Sequence, residues 1–290
     1  MSDEPAAVPP PARKSPWWEL PVLVAVAVVL AILLKTFVVQ PFFIPSDSME
    51  RTLHGCTGCA GDRVIVNKPV YDFRDPRPGD IVVFSAPAGW DVEAAIPTGG
   101  NAISRGVRWF GQLVGVVPPN EKDLIKRVIA VGGQTVQCCD SAGNVQVRDP
   151  GGAFRSLNEP YIYDNSPFNP ASRPGASAAN DGRSFAAVTV PAGRLWVMGD
   201  HRSDSADSAY HFRQLNDVAA STVPVSSVIG KAFVIAWPPS RWRTVGTPST
   251  FAGDTPFFSA DNAPVLVLIV VVVVAVMGLA WMWRRRRRAA

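Results

Sequence analysis

Two residues in this sequence have the chemical character of a nucleophile and a base. Ser48 lies in the segment IPSDSM at residues 44–49, and Lys126 lies in the segment DLIKRV at residues 123–128. A serine hydroxyl is a weak nucleophile that needs a base beside it. Lysine can be that base, as in the Ser-Lys variant of the catalytic triad, once it has lost its proton. The two segments therefore suggest acyl-transfer chemistry that requires no histidine.

The segment around Lys126 reads as a β-strand with an unusual residue on it. In an extended strand Leu124, Lys126 and Val128 point to the same face, and a lysine on an apolar face is rare. One interpretation is an edge strand that uses the lysine to prevent aggregation. The other is a desolvated lysine that can act as a base, because burial disfavours the ammonium form and lowers the pKa.

The serine segment and a third polar segment also allow structural interpretations. Serine, aspartate and proline are common in linkers, so residues 44–49 taken alone could be a linker. Residues 198–208, MGDHRSDSADS, follow an apolar strand and taken alone could be a polar turn. No single segment decides between a structural and a catalytic role.

Taken together, in this order and behind an apolar N-terminal run, these segments resemble the bacterial type I signal peptidase family. The resemblance is specific, because it extends over several of the family's sequence boxes and most of residues 40–210. The matching stretches are PSDSM at 45–49 with Thr52 and Leu53, GDRV at 61–64, RPGDIVVF at 77–84, DLIKR at 123–127, GDHR at 199–202 and SADS at 205–208.

The resemblance implies a role for the polar residues of these boxes. Ser48 is expected to be the nucleophile and Lys126 the general base, with Ser205 hydrogen-bonded to the Lys126 amine. The Ser46 hydroxyl and the Ser48 backbone N–H are expected to form the oxyanion hole. Charged residues nearby are expected to support the site structurally, partly by ion pairing: Arg127, Asp200, Arg202 and Asp207.

The activity implied is that of a membrane-bound serine endopeptidase. It would cleave N-terminal signal peptides from exported preproteins after small-x-small sites, through an acyl-enzyme. A shallow apolar pocket would accept alanine and reject larger side chains. The residues expected to bind substrate are Ile44, Pro45, Met49, Leu53, Leu124 and Ile125.

Two positions depart from the family pattern. Glu50 and Arg51 follow Met49, where the family often has a proline, and His201 stands where asparagine often follows the Gly-Asp pair. We expect the first change to alter the rim of the pocket, and neither change touches the proposed catalytic atoms.

Other protein classes remain open from the sequence. A self-cleaving, repressor-like protease also uses serine and lysine, but such proteases are cytosolic. A membrane-tethered β domain that acts as a scaffold or receptor would need Ser48, Lys126 and Ser205 to coincide by chance. An inactive relative of the family would have kept the complete set without using it.

Two apolar runs predict transmembrane helices, because about 20 apolar residues span a bilayer. A cleaved signal peptide is the alternative for the first run. Basic residues Arg13 and Lys14 precede the first run, and arginines follow the second, so the positive-inside rule places both termini in the cytoplasm. The predicted order in the cell membrane is a cytoplasmic tail (1–16), a helix (17–39), an extracytoplasmic domain (40–262), a second helix (263–283) and a basic cytoplasmic tail (284–290).

The placement of charge bears on the expected partners. A basic tail can be a solvated charge run or a nucleic-acid arm, but here the basic groups flank apolar segments, which favours a membrane role. The expected partners are preprotein signal peptides, the lipid bilayer and the secretion translocon, with no nucleic acid. We also hypothesise that the apolar edge formed by Phe42, Phe43 and Ile44, between the first run and Ser48, dips into the bilayer surface.

The region between the apolar runs reads as mainly β, and the resemblance implies an antiparallel arrangement. Short runs rich in Val, Ile, Phe and Trp predict strands at residues 63–67, 80–84, 124–131, 194–198 and 228–237. Two insertions depart from this pattern. Residues 86–120 have apolar residues at helical spacing, and we expect an amphipathic surface helix over 101–114. Residues 141–190 are rich in Gly, Pro, Ser and Asn and predict long loops.

Four cysteines are disulfide candidates: Cys56, Cys59, Cys138 and Cys139. An even number in an exported domain favours disulfides, while a four-thiolate zinc site and free thiols are the alternatives. Only residues 56–59 have the C-x-x-C form of a zinc knuckle, and the pairing stays open. We find no phosphate-binding glycine loop and no His/carboxylate cluster in the sequence, so no cofactor and no metal is expected.

Overall fold

The polypeptide forms two antiparallel β-sheets in a computed structural model that describes residue 21, residues 39–56, residue 59 and residues 61–90, 123–163 and 184–251. The strands are β1 (Val39–Phe43), β2 (Arg63–Asn67), β3 (Ile81–Ser85), β4 (Asp123–Val131), β5 (Thr135–Cys138), β6 (Val145–Arg148), β7 (Arg155–Ser156), β8 (Phe185–Thr189), β9 (Arg194–Met198), β10 (Val223–Pro224), β11 (Val228–Trp237) and β12 (Arg243–Thr244). The helices are α1 (Val70–Phe73), α2 (Ser208–Leu215) and α3 (Val218–Ser221).

The larger sheet has the strand order β1-β2-β11-β3-β4-β9-β10, and β12 also pairs with β11. The smaller sheet has the order β7-β6-β5-β8. The chain enters the smaller sheet directly after β4 and leaves it directly before β9, so β4 and β9 lie next to the junction of the two sheets. The segments that bear Lys126 and the polar stretch after Met198 both belong to this neighbouring pair of strands.

Three groups of buried apolar side chains form the core. One group joins the two sheets, because Ile129 and Trp196 of the larger sheet pack with Val147 and Phe185 of the smaller one. The rings of Phe185 and Trp196 stack with their centroids 5.0 Å apart. The other two groups pack along the larger sheet. Burial of this kind contributes roughly 25 cal/mol for each Å² of apolar surface removed from water.

Strand β4 is internal, which decides between the two interpretations of its lysine. It pairs with β3 on one side and β9 on the other, and Lys126 lies opposite Val82. An edge-strand guard residue would have no strand on one side. The edge-strand interpretation of Lys126 is therefore wrong.

The strand predictions agree closely with the structure, and the prediction of long loops over 141–190 is wrong in part. Three predicted strands, 63–67, 194–198 and 228–237, have the bounds of β2, β9 and β11. Strands β6, β7 and β8 fall within the predicted loop region. In β6 buried Val145 and Val147 alternate with polar residues, a strand pattern only four residues long that is easily lost among glycines and prolines.

Several predicted features fall outside the described residues. They include the helix at 101–114 and nearly all of both apolar runs. Within the part of the chain that the structure describes, no helix has the length and hydrophobicity that crossing a membrane requires. Phe42 and Ile44, which we expected at the bilayer surface, are instead buried in the core, and Phe43 is partly buried. The membrane-contact hypothesis is therefore wrong for Phe42 and Ile44, because their side chains have little exposed surface.

Candidate active site

Ser48 lies on a short loop after β1 that is held by apolar side chains on both sides. Ile44 before it, and Met49 and Leu53 after it, are fully buried in the same core group. The Leu53 N–H donates to the Met49 carbonyl at 2.8 Å, which turns the chain back on itself. Ser48 is only 2% exposed. The loop is thus fixed by core packing, which limits the movement of the nucleophile candidate.

Two glycines let the next stretch of chain pack directly behind this loop. A Cβ added to Gly55 would lie 2.4 Å from the Ser46 carbonyl oxygen, and one added to Gly61 would lie 2.3 Å from the Ile44 carbonyl oxygen. Real Cβ atoms do not come so close to backbone, so a side chain at either position would push the serine loop away. Both glycines therefore help to set the position of Ser48.

Lys126 reaches Ser48 from strand β4. Its side chain is buried, and Nζ forms a hydrogen bond to Oγ of Ser48. Across the described residues, no carboxylate lies within ion-pair distance of Nζ. The sequence predicted this pair, and the structure brings its two members together from positions 78 residues apart.

Burial lowers the pKa of Lys126 to about 8, because the ammonium form loses its hydration. The negative charges of Asp207, Asp204, Asp200 and Asp47 oppose this effect and raise the pKa, but burial outweighs them. At neutral pH about a tenth of the molecules would have a neutral lysine, since each pH unit below the pKa reduces that fraction about tenfold. A deprotonated Nζ can accept the proton of the Ser48 hydroxyl.

Ser205 lies close to the pair but does not form the expected hydrogen bond. Its Oγ is buried and has no hydrogen-bond partner among the described residues. A Cβ on Gly199 would lie 2.3 Å from Oγ of Ser205 and 2.5 Å from the Ser48 carbonyl oxygen. Ser205 and the Ser48 carbonyl therefore occupy the space that a side chain at position 199 would need. The predicted Ser205–Lys126 bond is not formed in this structure.

Ser46 lies beside the nucleophile candidate. Its hydroxyl donates to Oγ of Ser48 at 3.3 Å. A hydroxyl so near the attacking oxygen could turn to the oxygen of a bound carbonyl. The expected oxyanion-hole role of Ser46 and of the Ser48 backbone N–H is compatible with this geometry.

A buried ion pair joins β4 to the segment after β9. Arg127 donates to Asp200 from Nε at 2.8 Å and from Nη2 at 2.6 Å, and both side chains are almost fully buried. Arg127 Nη1 also donates to the Gly79 carbonyl at 3.0 Å. The Thr52 hydroxyl donates to the same aspartate at 2.5 Å, which links this pair to the serine loop. Arg127 and Asp200 thus hold the nucleophile segment and the lysine strand in one unit.

A second buried pair supports the polar segment. Arg202 donates to Glu159 at 2.8 and 2.6 Å, and its Nε donates to the Gly199 carbonyl at 3.0 Å. The Tyr161 hydroxyl donates to Glu159, and the Arg127 guanidinium lies 4.1 Å from the centre of the Tyr161 ring. Glu159 and Tyr161 were missed in the sequence, because they lie in the predicted loop region and belong to none of the matching boxes.

Asp207 acts as a helix cap, whereas ion pairing was expected of it. Its carboxylate accepts from the N–H groups of Ala209 and Tyr210 at 3.1 and 3.2 Å, at the start of α2. It also accepts from the Gly199 N–H at 3.0 Å. One carboxylate thereby orients both the helix and Gly199, the glycine that packs closely against Ser48 and Ser205.

The residues predicted to bind substrate fall into two sets. Ile44, Met49 and Leu53 are core residues with almost no exposed surface, so they are not the accessible lining that we expected. Pro45, Leu124 and Ile125 are partly exposed. The three buried residues anchor the serine loop in the core. A sequence pattern alone does not show whether an apolar residue anchors a loop or lines a substrate pocket.

The cysteines are joined in two disulfides, Cys56 to Cys59 and Cys138 to Cys139. The first lies in the stretch behind the serine loop, and the second lies at the end of β5 in the smaller sheet. The four sulfur atoms are therefore in two separate places, which is incompatible with a four-thiolate zinc site.

The family model described as "Signal peptidase, peptidase S26" matches residues 17–237, which include every residue of the site described above. The chain belongs to this family. It is therefore an enzyme of the serine endopeptidase class, a hydrolase of peptide bonds.

Curated relatives extend over most of the chain. A "Probable signal peptidase I" from Mycobacterium leprae is 44% identical over 84% of this chain and 84% of its own length. A "Signal peptidase I" from Mycobacterium tuberculosis is 47% identical over 82% of this chain and 78% of its own length. A crystal structure of a signal peptidase I from Enterococcus faecalis V583 covers 55% of this chain and 97% of that chain, with 23% identity and a TM-score of 0.29.

Proposed function

We propose that this peptidase cleaves N-terminal signal peptides from exported preproteins, with Ser48 as nucleophile and Lys126 as general base. The observation that supports the proposal most directly is the buried contact between Lys126 Nζ and Ser48 Oγ, in a setting that lowers the lysine pKa to about 8. The names of the curated relatives supply the substrate class.

The reaction follows from the chemistry of this pair. Neutral Lys126 accepts the Ser48 hydroxyl proton while Oγ attacks the carbonyl carbon of the scissile bond. The resulting lysine ammonium then gives that proton to the leaving amine, which leaves an ester on Ser48. A water attacks the ester, its proton again goes to Lys126, and Ser48 recovers its proton when the signal peptide is released as the acid.

The developing oxyanion needs hydrogen-bond donors that are in place before the reaction. We assign this role to the Ser46 hydroxyl and the Ser48 backbone N–H. Removing one such donor typically costs about 10²–10³-fold in rate. Ser205 is buried and lacks a hydrogen-bond partner in the described part of the chain, and we assign to it the orientation of the Lys126 amine once a change of rotamer brings the two groups together.

The membrane placement is part of the same proposal. The runs at 17–39 and 263–283 would anchor the enzyme in the cell membrane, with residues 40–262 outside the cytoplasm and both termini inside. Signal peptides reach that surface as apolar segments ending in small residues. The translocon that delivers them would be a further partner.

Cleavage of a purified preprotein by the detergent-solubilised full chain tests the proposal. The parent should cut once, after a small-x-small site, and Ser48→Ala and Lys126→Ala should each reduce the rate by about 10³-fold or more. Lys68→Ala is the matched control, because Lys68 lies away from Ser48 and contacts Gln40. It should cut at the parental rate.

Two results would contradict the proposal. If Lys126→Ala cuts as fast as Lys68→Ala, another group is the base. If the parent cuts only at large residues, or within the mature part of the preprotein, the substrate class is wrong even when the Ser48→Ala variant is inactive.

A further inference from the structure

Three candidate metal ligands from two separate segments meet beside Ser48. Asp47 directly precedes Ser48, whereas His201 and Asp204 lie in the polar segment after β9. One side-chain ligand atom of each residue lies within 4.8 Å of the other two. His201 Nδ1 is 3.9 Å from Oδ2 of Asp47. The sequence did not reveal this group, because 154 residues separate Asp47 from His201.

Backbone hydrogen bonds hold the three ligands in place. His201 caps a 3₁₀ turn over Arg202–Asp204, and the Asp204 N–H donates to the His201 carbonyl at 3.1 Å. Residues three apart in such a turn lie in line, which brings His201 and Asp204 to one side. The His201 N–H donates to the Ser48 carbonyl at 3.1 Å, which ties the turn to the serine loop. Backbone contacts therefore place the three residues near one another, whatever the conformations of their side chains.

The ligand types suit a borderline transition metal such as zinc. Imidazole nitrogen and carboxylate oxygen bind Zn²⁺ at about 2.0–2.2 Å, so ligands of a tetrahedral site lie about 3.4 Å apart. The ligand atoms, which lie within 4.8 Å of one another, would need to approach by up to about 1.4 Å. Asp47 can move, because 46% of its side chain is exposed. Three protein ligands leave a fourth position for water.

We propose that Asp47, His201 and Asp204 bind one Zn²⁺ ion at the rim of the candidate active site. Without the ion, His201 Nδ1 lies 3.1 Å from the Asp47 carbonyl oxygen and can donate to it. Zinc binding at Nδ1 requires the neutral tautomer with its proton on Nε2, so the ring would give up its hydrogen bond to the Asp47 carbonyl. Because Asp47 precedes Ser48 and Asp204 precedes Ser205, the ion would fix the spacing of the two serine-bearing segments. The site stands on this geometry and is independent of the substrate proposed above.

A second group provides the matched control. His54, Cys56 and Cys59 also lie within 4.8 Å of one another, but the two sulfur atoms are joined in a disulfide and are not available as thiolates. His54 is therefore a histidine near the same loop that should not contribute to zinc binding. Replacing each histidine by asparagine compares the two groups with equal changes in size and charge.

Isothermal titration calorimetry with Zn²⁺ tests the proposal. The sample is the untagged full chain in detergent, first stripped of metal with a chelator. The parent should bind one ion. His201→Asn should weaken the affinity by at least about tenfold, the loss that even an outer-shell partner can cause. His54→Asn should leave the affinity unchanged. At one fixed zinc concentration, zinc should also raise the unfolding temperature of the parent and of His54→Asn by the same amount, and that of His201→Asn by less.

The proposal is overturned if the parent binds no zinc, or if His54→Asn and not His201→Asn loses binding. Circular dichroism of each variant checks that it is folded. Should His201→Asn misfold, Asp204→Asn takes its place, with the same loss of affinity expected. Retained parental affinity in a folded Asp204→Asn variant would equally overturn it.

Discussion

Lys126 and Lys231 are equally buried and have different partners. Each is 3% exposed, and both lie opposite Val82 of β3, Lys126 from β4 and Lys231 from β11. Lys231 Nζ lies 2.9 Å from a carboxylate oxygen of Asp80, while Lys126 Nζ donates to the Ser48 hydroxyl and has no carboxylate within ion-pair distance among the described residues. The two strands that flank β3 thus place the same residue type at the same depth but give it different electrostatic surroundings.

The comparison teaches that the partner, more than burial, decides what a lysine can do. Asp80 is buried, which opposes its ionisation, but the positive charges of Lys231 and Arg74 outweigh burial and keep the pKa of that carboxyl below its ordinary value. The result is a charged structural pair. A hydroxyl gives no such compensation, and burial lowers the pKa of Lys126 to about 8, within reach of neutral pH.

The largest expected effect is the difference in cleavage rate between Lys126→Met and Lys231→Met. Lys126→Met should reduce preprotein cleavage by about 10³-fold or more, since the base is lost, and leave the fold intact. Lys231→Met should retain near-parental cleavage per folded molecule. The rate is measured after quantifying the folded fraction. Equal loss of activity in the two folded variants would remove the distinction between the lysines.

The second effect concerns the free energy of unfolding of Lys231→Met. Removing one partner of a buried ion pair leaves an uncompensated charge, and we expect a loss of about 3 kcal/mol at pH 7. This loss is at the low end of the range for breaking a buried ion pair, because Arg74 would still pair with Asp80 at 2.8 Å. Chemical denaturation of the full chain in detergent measures it. A loss well below 1 kcal/mol would mean that Arg74 alone satisfies the carboxylate.

Lys126→Met should raise the free energy of unfolding, whereas Lys231→Met should lower it. The folded protein lowers the pKa of Lys126 from 10.5 to about 8, so at pH 7 folding must hold a buried ammonium that the unfolded chain hydrates freely. Removing it should stabilise the protein by up to about 3 kcal/mol. Between pH 8 and 10.5 the unfolded chain binds the extra proton, parental stability rises, and the advantage of Lys126→Met disappears.

The same denaturation series at pH 7 and pH 10 checks this sign, with Ser48→Ala as the control that keeps Lys126. An advantage of Lys126→Met that stays constant with pH would show that it comes from packing and not from the buried charge.

The smallest expected effect is the pH dependence of cleavage. Because only neutral Lys126 acts as base, kcat/KM should rise about tenfold per pH unit below pH 8 and level off above it. The profile is measured with two preproteins that differ in the residues near the cleavage site. A pKa that belongs to the enzyme should appear with both substrates. A flat profile between pH 6 and pH 8 for both would contradict a base with this pKa.

Much of the framework could be predicted from the sequence because it depends on local patterns. Strands β2, β9 and β11 follow from runs of β-branched and aromatic residues. The matching boxes indicated Ser48, Lys126 and the supporting residues Arg127 and Asp200, since residue type and order are enough to recognise them, and the structure shows that the last two pair with each other. Short strands in polar surroundings, such as β6 and β7, were missed because their pattern spans too few residues.

The sequence by itself determined which groups were available: a serine in a short polar segment, a lysine on a strand, and charged residues in the segment after β9. Only the tertiary structure decided that β4 is internal, that Lys126 contacts Ser48, that Ile44, Met49 and Leu53 anchor the loop, and that Asp47 lies beside His201. The physical reason is that burial and partner distance, which set a pKa or a metal site, are sums over contacts between segments far apart in the chain.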